Sequence, residues 1–124
     1  RWQRYVDKAV EYYKLDAKQN TAARAILKEC RARARAIKTT EWKAAVKENR
    51  IVQQLSRRSR IGLSEGPFTY WLESEFKRLM QPMDDLDREL KARIESLPTS
   101  EQRARAREAV RKELADKGVK KIPL

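Results

Sequence analysis

The sequence contains no histidine and a single cysteine, Cys30. The first absence removes the commonest general base and the commonest transition-metal ligand together. The second rules out an intramolecular disulfide and leaves Cys30, on an apolar stripe with no histidine to activate it, as an inert core thiol. Glycine and proline are scarce, at 3 and 4 residues in 124, which argues against a turn-rich β fold. No apolar run approaches the roughly 20 residues of a membrane span, and no signal-peptide core is visible. A Gly-rich phosphate loop, metal-ligand spacing, a nucleophile elbow and a paired acid–base motif are all missing. The expectation is a protein that is not an enzyme and carries no cofactor or metal.

What is present is charge on helix-forming residues. Charged side chains make up 39% of the chain, and 30 Lys/Arg against 18 Asp/Glu give a formal net charge of +12. With Ala, Arg, Lys, Glu and Leu dominant, the composition points to a single all-α domain over residues 1–124, an elongated bundle of four or five helices around a long basic central helix. A pI near 10.1 favours acidic partners, whether nucleic acid, an anionic membrane surface or negatively charged polypeptide.

The organising stretch runs from Asp16 to about Arg60. Ala23, Ile26, Leu27, Cys30, Ala34, Ile37, Ala44, Ile51, Val52 and Leu55 recur at three- and four-residue steps, as in one long helix or two helices in line. Thr39 and Thr40 mark its weakest point. Ahead of it, Trp2, Tyr5, Val6, Ala9, Val10 and Tyr13 predict a first helix ending near Lys14. Behind it, Ile61 to Pro67 has the residues of the main turn. The apolar rhythm then resumes through Trp71, Leu72, Phe76, Leu79, Met83, Leu86, Leu90, Ile94 and Leu97, antiparallel to the basic helix. Pro82, followed by Asp84, Asp85 and Asp87, predicts a fresh helix start within that segment. Thr99 to Gln102 opens a last helix, Gly118 suits its C-terminal cap, and residues 118–124 read as a mobile tail.

Two helix starts carry the same signature. Asp16 with Gln19, and Thr99 with Gln102, each have the capping-box spacing. Aligning Gln19 with Gln102 also brings Ala23 onto Ala106, Ile26 onto Ala109 and Leu27 onto Val110. Capping boxes before amphipathic helices are common, so the similarity has an ordinary structural explanation. It also has a sharper one. Leu15-Asp16-Ala17-Lys18-Gln19, and Leu97 to Gln102 with Pro98 inserted after Leu97, resemble degenerate copies of the Leu-Thr-x-x-Gln motif of the Spy-like periplasmic helical chaperones and stress proteins. That resemblance implies an exported protein, an antiparallel dimer of helical hairpins, and a basic concave face that holds unfolded clients. A start at Arg1 rather than Met is compatible with a processed precursor.

Between residues 17 and 60 there are thirteen Lys/Arg against three Asp/Glu. Arg24, Lys28, Arg31, Arg35 and Lys38 fall at steps of four or three and form one basic row, with Arg33 off it. Arg57, Arg58 and Arg60 add a cluster before the turn. These eight residues are the candidate ligand-binding set, against the plainer reading of a solvated face that keeps the protein soluble. Residues 61–98, with five Lys/Arg and eight Asp/Glu, offer partial neutralisation of the row. The expected partners are unfolded or acidic polypeptide clients. The alternative is a cytoplasmic nucleic-acid-binding or scaffold protein whose cations contact phosphates without reading bases. Trp71 and Phe76 are expected in the core. Trp42, Ile51 and Leu55 are poorly covered by one chain, which predicts a homodimer.

Overall fold

The computed structural model describes residues 1–58 and 67–118, apart from the side chains of 56–58 and 67–69. Among the described residues there are five helices and no strand: α1 (Trp2–Tyr13), α2 (Ala17–Ile37), α3 (Thr40–Arg58), α4 (Pro67–Glu95) and α5 (Ser100–Asp116). The all-α expectation holds. Of the turn expected over Ile61 to Pro67, residues 61–66 lie outside the described residues and Pro67 is the first residue of α4; Val119 to Leu124 of the expected tail also lies outside them. The chain divides into two compact units, Arg1–Glu29 with Leu90–Leu124, and Cys30–Glu89.

In the first unit, α1 and α5 pack on the first part of α2 and the last part of α4. Val6 and Ala9, Ala23, Ile26 and Leu27, Leu90 and Ile94, and Ala106 are buried. Burial of each of the larger side chains contributes about 1.5–3 kcal/mol. α1 ends at Lys14, whose left-handed φ of 51° lets the N–H groups of Lys14 and Leu15 reach the carbonyls of Glu11 and Val10, the double closure of a Schellman turn. At the far end of α5, Gly118 takes a φ of 77° and closes the helix as its position predicts. In this unit α2 and α4 are antiparallel, since Gln19 bonds the Leu97 carbonyl and Glu29 pairs with Arg93.

In the second unit the basic stretch is broken. α2 stops at Ile37, and Thr39 caps α3 by accepting from the Trp42 N–H at 3.1 Å. The break resets the phase of the apolar stripe. The inward positions of α3 are Trp42, Ala45, Val46, Asn49 and Val52, all buried or half-buried, whereas Ala44, Ile51 and Leu55, expected on the stripe, are exposed. Two α3 side chains seven residues apart donate to the α4 backbone. The Trp42 indole bonds the Leu79 carbonyl at 2.7 Å, and the Asn49 amide bonds the Leu72 carbonyl at 3.2 Å. This fixes α3 antiparallel to α4 with one register. Cys30 is fully buried, with Ala34, Val46, Leu72 and Leu86 completing the apolar core.

Three expectations are corrected here. Pro82 does not start a helix, because α4 runs through it from Pro67 to Glu95. Asp84, Asp85 and Asp87 therefore sit mid-helix, where Asp85 is bonded by Gln81 and lies 3.9 Å from Arg88, instead of supporting a helix N-terminus. Trp71 is exposed, not core. Phe76 is half-buried, with the Arg50 guanidinium 5.6 Å from its ring centre, because the core-facing line of α4 runs through Leu72 and Leu86 and leaves Trp71 on its flank.

Candidate functional site

The two capping boxes form one hydrogen-bonded unit. Asp16 accepts from the Gln19 N–H at 2.7 Å, and the Gln19 amide oxygen accepts from the Asp16 N–H at 2.9 Å. Thr99 and Gln102 repeat the pattern at 3.1 and 2.8 Å. The two glutamine side chains then face each other, each amide nitrogen donating to the other's oxygen at 2.8 Å. The remaining N–H of Gln19 goes to the Leu97 carbonyl at 2.9 Å, and that of Gln102 to the Lys14 carbonyl at 3.3 Å. Both amides thus use two donors and accept twice, which satisfies each completely. Lys14 and Leu97 are equivalent under exchange of the two halves, so Pro98, which is buried, occupies the place of Leu15. It is the counterpart of Leu15 and not an insertion after Leu97.

Beside this unit, Glu95 accepts a tyrosine hydroxyl on each carboxylate oxygen, from Tyr5 at 2.7 Å and from Tyr13. Lys91 stands 5.7 Å from the Tyr5 ring centre. The hydrogen bond to Glu95, with burial and the carboxylate charge adding to it, pushes the Tyr13 hydroxyl from 10.0 up to about 12. A raised acid favours folding while it stays protonated. Its contribution is therefore complete below pH 10 and is lost as pH rises towards 12. In an ultraviolet titration Tyr13 should ionise about two units late, and Glu95→Gln should bring it back towards 10. A titration left unchanged by Glu95→Gln would contradict the assignment.

The predicted basic row is only partly open. Arg24, in the first unit, pairs with Asp7 of α1 at 2.5 Å and bonds Asn20 at 3.2 Å. Its charge ties α2 to α1. Lys28, in the same unit, is exposed. In the second unit Arg31 is exposed but engaged in a contact of its own, Arg35 is exposed on the last turn of α2, and Lys38 lies just past the end of that helix. Arg57 and Arg58 belong to α3, but their side chains, like all of Arg60, lie outside the described residues.

Neutralisation by the acidic segment includes a cation off the row. In the second unit Arg33, set aside in the sequence as off the row, pairs with Glu89. In the first, the polarity reverses and Glu29 receives Arg93. All four side chains are 40–52% exposed, so each pair is worth only about 0–1 kcal/mol. Sequence reading also passed over Lys43, Lys47 and Arg50 of α3, exposed at helical spacing; the i, i+4, i+7 interval was the available signal. Among the described residues no group of three or more Cys, Asp or Glu side chains could hold a metal ion, and no helix is long and apolar enough to cross a membrane. No family model, curated protein or solved structure matches the chain.

Proposed function

We propose that this is a non-catalytic binding protein, a Spy-like exported chaperone or stress-response protein that holds unfolded or acidic polypeptide on the basic side of α2. The observation that supports the reading is that Lys28, Arg35 and Lys38 are exposed and have no ion-pair partner among the described residues, while Arg24 of the same row is paired with Asp7. The reciprocal Gln19–Gln102 unit lies at the two motifs that carry the resemblance. Open cations on a helix surface attract an extended acidic chain without demanding one sequence.

The same cations would also attract nucleic acid, and salt separates the two. Duplex DNA loses roughly 10³–10⁵ in affinity between about 50 and 200 mM salt when six to ten phosphates are contacted. A polypeptide held partly by apolar contacts loses far less. The test is aggregation suppression of an unfolded client beside duplex DNA binding across that range. Suppression that survives 200 mM salt, with no appreciable DNA affinity, is the expected result. Steep salt-dependent DNA binding without suppression would replace this function with nucleic-acid binding.

A further inference from the structure

α3 carries a row of open cations of its own. Lys43, Lys47 and Arg50 follow one another at steps of four and three, all are exposed, and none has an ion-pair partner among the described residues. The Arg50 guanidinium lies 5.6 Å from the centre of the Phe76 ring, so this flank of α3 is the one beside the Phe76 side of α4. One step round α4 from Phe76, Lys77 is exposed and likewise without an ion-pair partner among the described residues. Tyr70, seven residues before Lys77 and on the same line, is 74% exposed. Glu73 is an exposed acid on that side.

An apolar line borders the cations. Ile51 follows Lys47 by four residues and Leu55 follows Ile51 by four, and they are 46% and 62% exposed. At about 3.6 residues per turn, Ile51 and Leu55 occupy the outermost line of α3. The cations lie between that line and the inward positions Trp42, Val46 and Asn49, and Glu41 and Glu48 lie on the opposite flank.

Exposed apolar side chains bordered by cations suit a partner that is apolar and anionic at once. An extended acidic chain would answer the cations and leave Ile51 and Leu55 in water. A second copy docked by the same face would bring Lys43, Lys47, Arg50 and Lys77 back against themselves, with Glu73 to offset them. An anionic phospholipid presents a phosphate directly above an acyl chain, which matches cations set beside an apolar line.

We infer that this face of the α3–α4 pair docks on an anionic phospholipid surface. Lys43, Lys47, Arg50 and Lys77 lie among the headgroup phosphates, and Ile51 and Leu55 enter the acyl boundary. Tyr70 sits where its ring is apolar and its hydroxyl wet. α3 is rolled towards its cationic flank, which keeps Glu41 and Glu48 on the water side. The association is peripheral, since no helix among the described residues is long and apolar enough to cross a membrane. It rests on α3 and α4 alone and is independent of what α2 binds.

Cosedimentation of the full chain with vesicles tests this. At low salt the parent should bind vesicles of equimolar phosphatidylglycerol and phosphatidylcholine, and not vesicles of phosphatidylcholine alone. The triple change Lys43→Gln, Lys47→Gln, Arg50→Gln should weaken binding by roughly a hundredfold, and the double change Ile51→Gln, Leu55→Gln by roughly tenfold. All five side chains are exposed, so both variants should keep the helical circular dichroism of the parent. Both should also keep its suppression of client aggregation, whereas Lys28→Gln, Arg35→Gln, Lys38→Gln should leave vesicle binding largely as it is. These two controls separate the lipid surface from the client site. Absence of binding to the anionic vesicles overturns the proposal, as does binding that either α3 variant leaves unchanged. A lipid-free dimer that the double change dissociates also overturns it and assigns the face to a second copy.

Discussion

Replacing Gln19 by Ala is expected to destabilise the protein by about 2–3 kcal/mol, although the side chain is only part-buried. The amide makes four hydrogen bonds: two with Gln102, one from the Asp16 N–H and one to the Leu97 carbonyl. A typical hydrogen bond contributes about 1 kcal/mol net, and leaving partners unsatisfied costs more than the bond itself gains. Partial exposure lets water replace some of the loss, which keeps the estimate below the sum. The loss is also shared. Once Gln19 is gone, Gln102 has already lost its partner, so Gln19→Ala with Gln102→Ala should cost about 1 kcal/mol less than the two single changes added. Urea denaturation of the four proteins measures this coupling. Additive costs of a few tenths each would show that the capping boxes act separately.

Pro82→Ala is expected to act in the opposite direction and stabilise by about 2 kcal/mol. Proline inside a helix costs about 3 kcal/mol relative to Ala, through a missing N–H and a ring clash with the carbonyl four residues back. The stiffer unfolded chain that proline provides returns about 0.5–1 kcal/mol of that. Here the carbonyl deprived of its donor belongs to Arg78, and the next one, of Leu79, accepts the Trp42 indole. Pro82 is exposed, so truncation to Ala opens no cavity. A denaturation midpoint unchanged or lowered by Pro82→Ala would mean that the native packing of α4 depends on proline geometry.

Local signals were legible in the sequence. The capping boxes at Asp16 and Thr99, the Gly118 cap and the stripe through Leu72, Leu86, Leu90 and Ile94 depend on neighbours within a few residues, and all were readable. Failures arose where a partner from a distant helix decides the outcome. Pro82 read as a helix start because its own neighbourhood is rich in aspartate; α4 persists through it with the Trp42 indole on the next carbonyl. Carrying one helical period across Thr39 put Ile51 and Leu55 on the wrong face, since a break of two residues between helices shifts the phase of everything after it. The candidate site divided in the same way. The spacing of Arg24, Lys28, Arg31 and Arg35 was visible, but nothing local shows that Asp7 claims Arg24. Nor could the sequence show that Gln19 and Gln102, 83 residues apart, would bond each other.

The central claim is that the unpaired cations on α2 and just past its end hold the client. The most direct measurement compares the parent protein with the triple change Lys28→Gln, Arg35→Gln, Lys38→Gln in suppressing aggregation of an unfolded client at physiological salt. Arg24 is left intact because its pair with Asp7 is structural. All three sites are exposed, so the unfolding midpoint should stay within about 0.5 kcal/mol of the parent. The expected result is loss of most of the suppression with stability unchanged. Undiminished suppression by the triple variant would contradict the claim and leave the basic side of α2 as a solvated surface.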